Sequence, residues 1–86
     1  MNEIVKEARK IAKIINKIIR INMNILSWVE NDIVRDKLKE QIKEEQIIGH
    51  RLRDEVPKAY SDPKERDLWW KTFYEELRFL DEKDSL

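Results

Sequence analysis

Cysteine is absent from the chain. That excludes a disulfide framework, thiolate metal sites and thiol nucleophiles, and it fits a reducing, cytoplasmic setting. Glycine occurs once and proline twice. Such scarcity argues against a turn-rich β fold and against a glycine-rich phosphate loop. His50 is the single histidine, and the residue three positions before it is Ile47. The Glu-x-x-His pairs that hold di-metal centres in helical bundles are therefore missing. Neither sign of charge dominates, since 18 Lys and Arg balance 18 Asp and Glu. Long hydrophobic runs are lacking too. The longest uncharged stretch, Ile21 to Val29, falls far short of the roughly 20 apolar residues of a membrane span. Glu3 and Glu7 break any leader-like pattern at the start.

What is present is isoleucine, twelve times in 86 residues, and a high density of charge. A chain of this length is one domain with a modest core, about 60–65% of its unfolded surface being buried. From Met1 to Ile48 there is neither Gly nor Pro. Ile4, Ile11, Ile18 and Ile25 recur at seven-residue spacing, as do Ala8, Ile15, Asn22 and Val29. Together they read as an a/d-type coiled-coil seam on a helix spanning about 3–30. Val5, Ala12, Ile19 and Leu26 widen the seam on one side, and Ile14, Ile21 and Trp28 on the other.

Extended past residue 30, that seam meets only polar side chains: Asp32, Asp36, Lys39 and Lys43. The next apolar stripe is Val34, Leu38, Ile42, Ile48, Leu52 and Val56, on nearly the opposite face. A turn at Glu30-Asn31-Asp32 restores consistency, with Asn31 or Asp32 as N-cap, and makes an αα-hairpin. The alternative is one very long helix in an oligomer. Helix 2 (about 32–56) should stop before Pro57. Gly49 either allows close packing or breaks helix 2 in two. Asp62-Pro63-Lys64-Glu65 is a strong helix start, so helix 3 is expected over 63–81 with a loose tail at 82–86. Trp69, Trp70, Phe73, Leu77 and Leu80 form its apolar face, flanked by Tyr74 and Phe79. Neighbouring Trp residues diverge by about 100° on a helix, so one ring should pack on helix 1 and the other sit at an edge.

The expected fold is thus all-α: an elongated three-helix bundle, a long αα-hairpin plus a third helix. Between residues 4 and 29, 15 of 26 side chains are apolar, against 8 of 24 between 33 and 56. Helix 1 has more apolar surface than helix 2 can cover, and the surplus predicts a homodimer. Its interface would use Ile11, Ile15, Ile18, Asn22 and Ile25. Asn22 would fix register there, or else meet water or a polar neighbour such as Gln41.

Two further surfaces stand out. Lys6, Arg9, Lys10, Lys13, Lys17 and Arg20 make a basic face on helix 1, and residues 1–20 carry six basic against two acidic side chains. Such a face could bind the phosphates of a nucleic acid or an anionic surface, or simply solvate the back of a buried helix. Trp69, Trp70 and Tyr74 are candidates for a partner-binding patch. The clustered carboxylates Glu40, Glu44 and Glu45 suggest a metal or acid/base site only weakly, since Glu45 alone faces the stripe of helix 2. With no cation in the apolar seams and no nucleophile set, neither an enzyme nor a cofactor is expected. The sequence reads as a small cytoplasmic helical module for protein–protein interaction (an adaptor, scaffold or inhibitor) that pairs with itself. Nucleic-acid or anionic-surface binding through helix 1 is the alternative.

Overall fold

A computed structural model describes residues 2–77. Among these the chain is helical and without strands: α1 spans Glu3–Trp28, α2 Asp32–Glu55 and α3 Pro63–Glu76, with a 3₁₀ turn at Val56–Ala59 before α3. The molecule is elongated, 49 × 21 × 17 Å, with a radius of gyration of 14.8 Å. A compact globule of this chain length has about 12 Å. The length is set by α1, whose 26 residues run about 39 Å at 1.5 Å rise per residue.

Each helix starts on a side chain that takes up orphan backbone donors. Asn2 Oδ1 accepts from the Ile4 N–H at 2.7 Å, Asn31 Oδ1 from Ile33 and Val34 at 3.0 and 3.1 Å, and Asp62 Oδ1 from Lys64 at 2.9 Å. Asn31, not Asp32, is therefore the N-cap of α2. The hairpin turn is closed by a residue the sequence did not advertise. Arg35 Nη1 donates to the carbonyls of Leu26 and Val29, 2.8 Å each. The cation thus gives a second donor to the Leu26 carbonyl, which also accepts from the Val29 N–H, takes up the carbonyl of the cap residue Val29, and opposes the negative end of the α1 dipole.

α2 passes through Gly49 unbroken, and Gly49 is buried. Pro57, buried at the first turn of the 3₁₀ segment, ends the α-helix one residue earlier than expected. α3 stops at Glu76, short of the expected 81, because Leu77 takes an extended backbone while its N–H still closes on the Phe73 carbonyl. The placements expected for Phe79, Leu80 and the tail lie outside the described residues.

The core has two centres. Near the start of α1, Ile4, Ala8 and Ala12 pack against Trp69, Phe73 and Leu77, with Leu52, Val56 and Tyr60 around them. Trp69 and Phe73 stack at 5.3 Å between centroids, and Tyr60 leans on Trp69 at 6.5 Å. The small side chains of Ala8 and Ala12 leave room for these rings. Towards the hairpin turn, Ile19, Leu26 and Ile42 form a smaller centre, joined by Met23 and Leu38. Ile15 packs against both.

The heptad seam read from the sequence is corrected by this arrangement. The buried residues of α1 are Ile4, Ala8, Ala12, Asn16, Ile19 and Leu26. Ile4 packs with Trp69, Phe73 and Leu77 of α3 and is 7% exposed, but Ile18 and Ile25, two and three heptads later, are 44% and 40% exposed. Ala12, Ile19 and Leu26, expected only to widen the seam, are its axis.

A candidate interaction surface on the hairpin

This packing leaves a strip of apolar side chains uncovered. Ile14, Ile18, Ile21, Ile25 and Trp28 are all exposed along α1, and Val34, Ile47 and Ile48 along α2. At the hairpin tip the exposure is extreme, 80% for Trp28 and 72% for Ile33. Between the helices the strip dips into an open groove of about 260 Å³, lined by Ile15, Ile18, Gln41, Glu45 and Ile48. Its edge holds the one place where the polar interruptions of the two stripes meet. Asn22 Nδ2 donates to both carboxylate oxygens of Glu45, at 2.8 and 2.7 Å. Glu45, not Gln41, is thus the polar neighbour of Asn22. The amide and the carboxylate are thus joined across the two helices of one chain.

The residues expected at a dimer interface are divided by this geometry. Ile18 and Ile25 lie on the exposed strip. Ile11 and Ile15 are partly buried against the core, and Asn22 is taken up by Glu45. Ile14, Ile21 and Trp28, placed at the margin of the seam by the sequence, belong to the strip instead. Their own spacing with Ile18 and Ile25, at intervals of four and three residues, was the signal that could have found them.

The aromatic pair separates as expected of adjacent residues on a helix. Trp69 is 1% exposed and belongs to the core, which removes it from any docking patch. Trp70 is 43% and Tyr74 46% exposed. They stack on each other at 5.1 Å, with the Arg53 guanidinium 5.8 and 5.7 Å from the two ring centroids. This makes a cation–π clamp between α2 and α3.

On the basic face, Lys6, Lys10, Lys13, Lys17 and Arg20 are exposed. Arg9 is tied inward by an ion pair with Glu76 at 3.2 Å. Beside it, buried Asn16 donates its amide to the Glu76 carbonyl. Arg9 and Asn16 therefore hold the C-terminal end of α3 onto α1, and the sequence reading had assigned neither to that task. Among the described residues, no group of three or more His, Cys, Asp or Glu is placed to hold a metal ion. No described helix is long and apolar enough to cross a membrane. Comparison of the chain with known protein families, with curated proteins and with solved structures finds no match.

Proposed function

We propose that the protein is a non-enzymatic helical module for protein–protein interaction, an adaptor, scaffold or inhibitor, which pairs with a second copy of itself. The observation that carries this reading is the apolar strip of α1, Ile14, Ile18, Ile21, Ile25 and Trp28, left exposed on a helix with no other element of the described chain over it. Scattered exposed hydrophobics are ordinary, but a contiguous row beside an apolar groove marks an interaction surface. The test is light scattering on a sizing column at two protein and two salt concentrations. A dimer that persists in high salt is expected, because the contact is apolar. A monomer at every concentration would remove self-association.

A second reading rests on a different observation. Lys6, Lys10, Lys13, Lys17 and Arg20 stand exposed along one side of α1, where they could follow phosphates. Binding to duplex DNA, RNA or anionic vesicles that weakens steeply with salt would favour it. A complex indifferent to salt would favour the first reading.

A further inference from the structure

The exposed strip of α1 has a different border on each side. Towards α2 it meets the groove, and on the other side it meets lysine. Lys10 stands one helical turn before Ile14, and Lys17 stands one turn after Ile14 and one turn before Ile21. Lys6, Lys13 and Arg20 form a second exposed row behind them. From Ala8 to Val29 there is no carboxylate, and Glu7 and Glu30 bracket the segment. Two open hollows, about 410 and 430 Å³, meet at Lys13, and each is lined by at least three cations. Glu76, the one carboxylate in either lining, is held by Arg9. On α2, exposed Glu40 and Glu44 are matched by Lys37 and Arg51 along the same side, so that helix adds no net charge of either sign.

Whatever docks on this side of α1 meets two features together, a row of isoleucines and a row of cations beside it. A nucleic acid offers phosphates to the cations but leaves Ile14, Ile18, Ile21, Ile25 and Trp28 in water. A bilayer containing anionic lipid answers both. We propose that this side of α1 lies on the surface of an anionic bilayer, with the isoleucine strip at the boundary of headgroups and acyl chains and the lysines among the lipid phosphates. The stems of Lys10 and Lys17 then run beside the strip and keep their ammonium groups in the headgroup layer. Trp28, at the end of the strip, is the kind of side chain that settles at that depth. The helix lies along the surface, and its cations from Lys6 to Arg20 follow it for about 21 Å. This rests on the anionic-surface reading above and names its partner. A second copy would use the same strip, so pairing and docking exclude each other.

Flotation tests it, with vesicles of phosphatidylcholine alone, vesicles mixed with phosphatidylserine, and short duplex DNA and RNA, each at low and high salt. Two variants are made at exposed positions and checked for unchanged helicity: Lys10→Gln with Lys13→Gln and Lys17→Gln, and Ile14→Ser with Ile21→Ser. Wild-type protein is expected to float with the anionic vesicles and not with phosphatidylcholine alone. The lysine variant should bind them about a hundredfold more weakly, and the isoleucine variant about tenfold more weakly. Tryptophan emission should shift to the blue on binding, and most of that shift should vanish in Trp28→Phe. If neither vesicles nor nucleic acid binds in a salt-sensitive way, the basic-face reading itself fails. If nucleic acid binds and vesicles do not, that reading stands and the bilayer falls. Equal binding of anionic vesicles by wild type and the isoleucine variant would remove the strip and overturn the proposal. A dimer that ignores vesicles would assign the strip to a second copy and overturn it as well.

Discussion

One end of the bundle is three helices thick and the other, holding the α1–α2 turn, is two. At the thick end α3 lays Trp69, Phe73 and Leu77 over Ile4, Ala8 and Ala12, and Arg9 and Asn16 fasten its end. At the thin end Ile19, Leu26 and Ile42 meet along a single line, while Trp28, Ile33 and Val34 stay exposed. α1 runs through both, equally rich in isoleucine throughout. The difference teaches that apolar composition does not set burial. The number of faces a neighbour offers does, and a pair of helices can close only one seam between them. The thick end supplies stability, and the thin end supplies the uncovered surface on which the functional proposal stands.

The sharpest way to break this comparison is to remove a ring from the thick end. Phe73→Ala should cost about 3–5 kcal/mol, a large part of the roughly 5–10 kcal/mol that a chain of this size possesses. Urea titration followed by circular dichroism would show the midpoint collapse. A loss under about 1 kcal/mol would mean that α3 is not what holds the bundle.

Ile42→Ala comes next, expected to cost about 2–4 kcal/mol. Its effect should be uneven along the molecule. Hydrogen exchange should accelerate at amides of residues 19–45 more than at those of 4–14 and 66–76, because the two core centres share only Ile15. Uniform acceleration would show that the halves open as one.

A smaller effect is expected at the polar pair. Glu45→Leu alone should cost about 1–2 kcal/mol by stranding the Asn22 amide, and Asn22→Leu in the same protein should restore most of it. The double-mutant cycle reads the coupling directly. Smaller still, Arg35→Met should cost about 1 kcal/mol by uncapping the C-terminus of α1, with faster exchange confined to the turn. Smallest of all, Trp28→Ala should alter the stability of the monomer by less than about 0.5 kcal/mol, since the ring is exposed. It should weaken any dimer visibly on the sizing column.

Much of the architecture was legible because it is encoded locally. The hairpin follows from the phase break after Val29 together with the capping residue Asn31. The start of α3 follows from Asp62 and Pro63, which act through their own backbone neighbours. That the two Trp rings part company followed from the 100° step between adjacent positions, though not which of them is buried. What was not legible depends on partners distant in sequence. Asn16 looks like an interruption of an apolar helix until Glu76 is brought to it. Arg35 looks like one more surface cation until the carbonyls of Leu26 and Val29 turn towards it. The candidate surface was half legible. The surplus of apolar residues on α1 was countable, but which of its faces would be covered was not, because that depends on where α3 lands. Ile14 and Ile21 are exposed, while Ile11 and Ile15 are partly buried against the core.

The Asn16–Glu76 contact joins residues 60 apart in the chain, whereas Asn22 and Glu45 are 23 apart. Closing the shorter loop requires less conformational entropy to be given up, and contacts near in sequence form sooner. On the ribosome, Asn22 and Glu45 are both available while α3 is still unsynthesised. The thin end of the bundle can assemble first, and its apolar strip is then presented before the aromatic end has anything to close upon. A chain paused at that stage would expose that strip before α3 reaches α1.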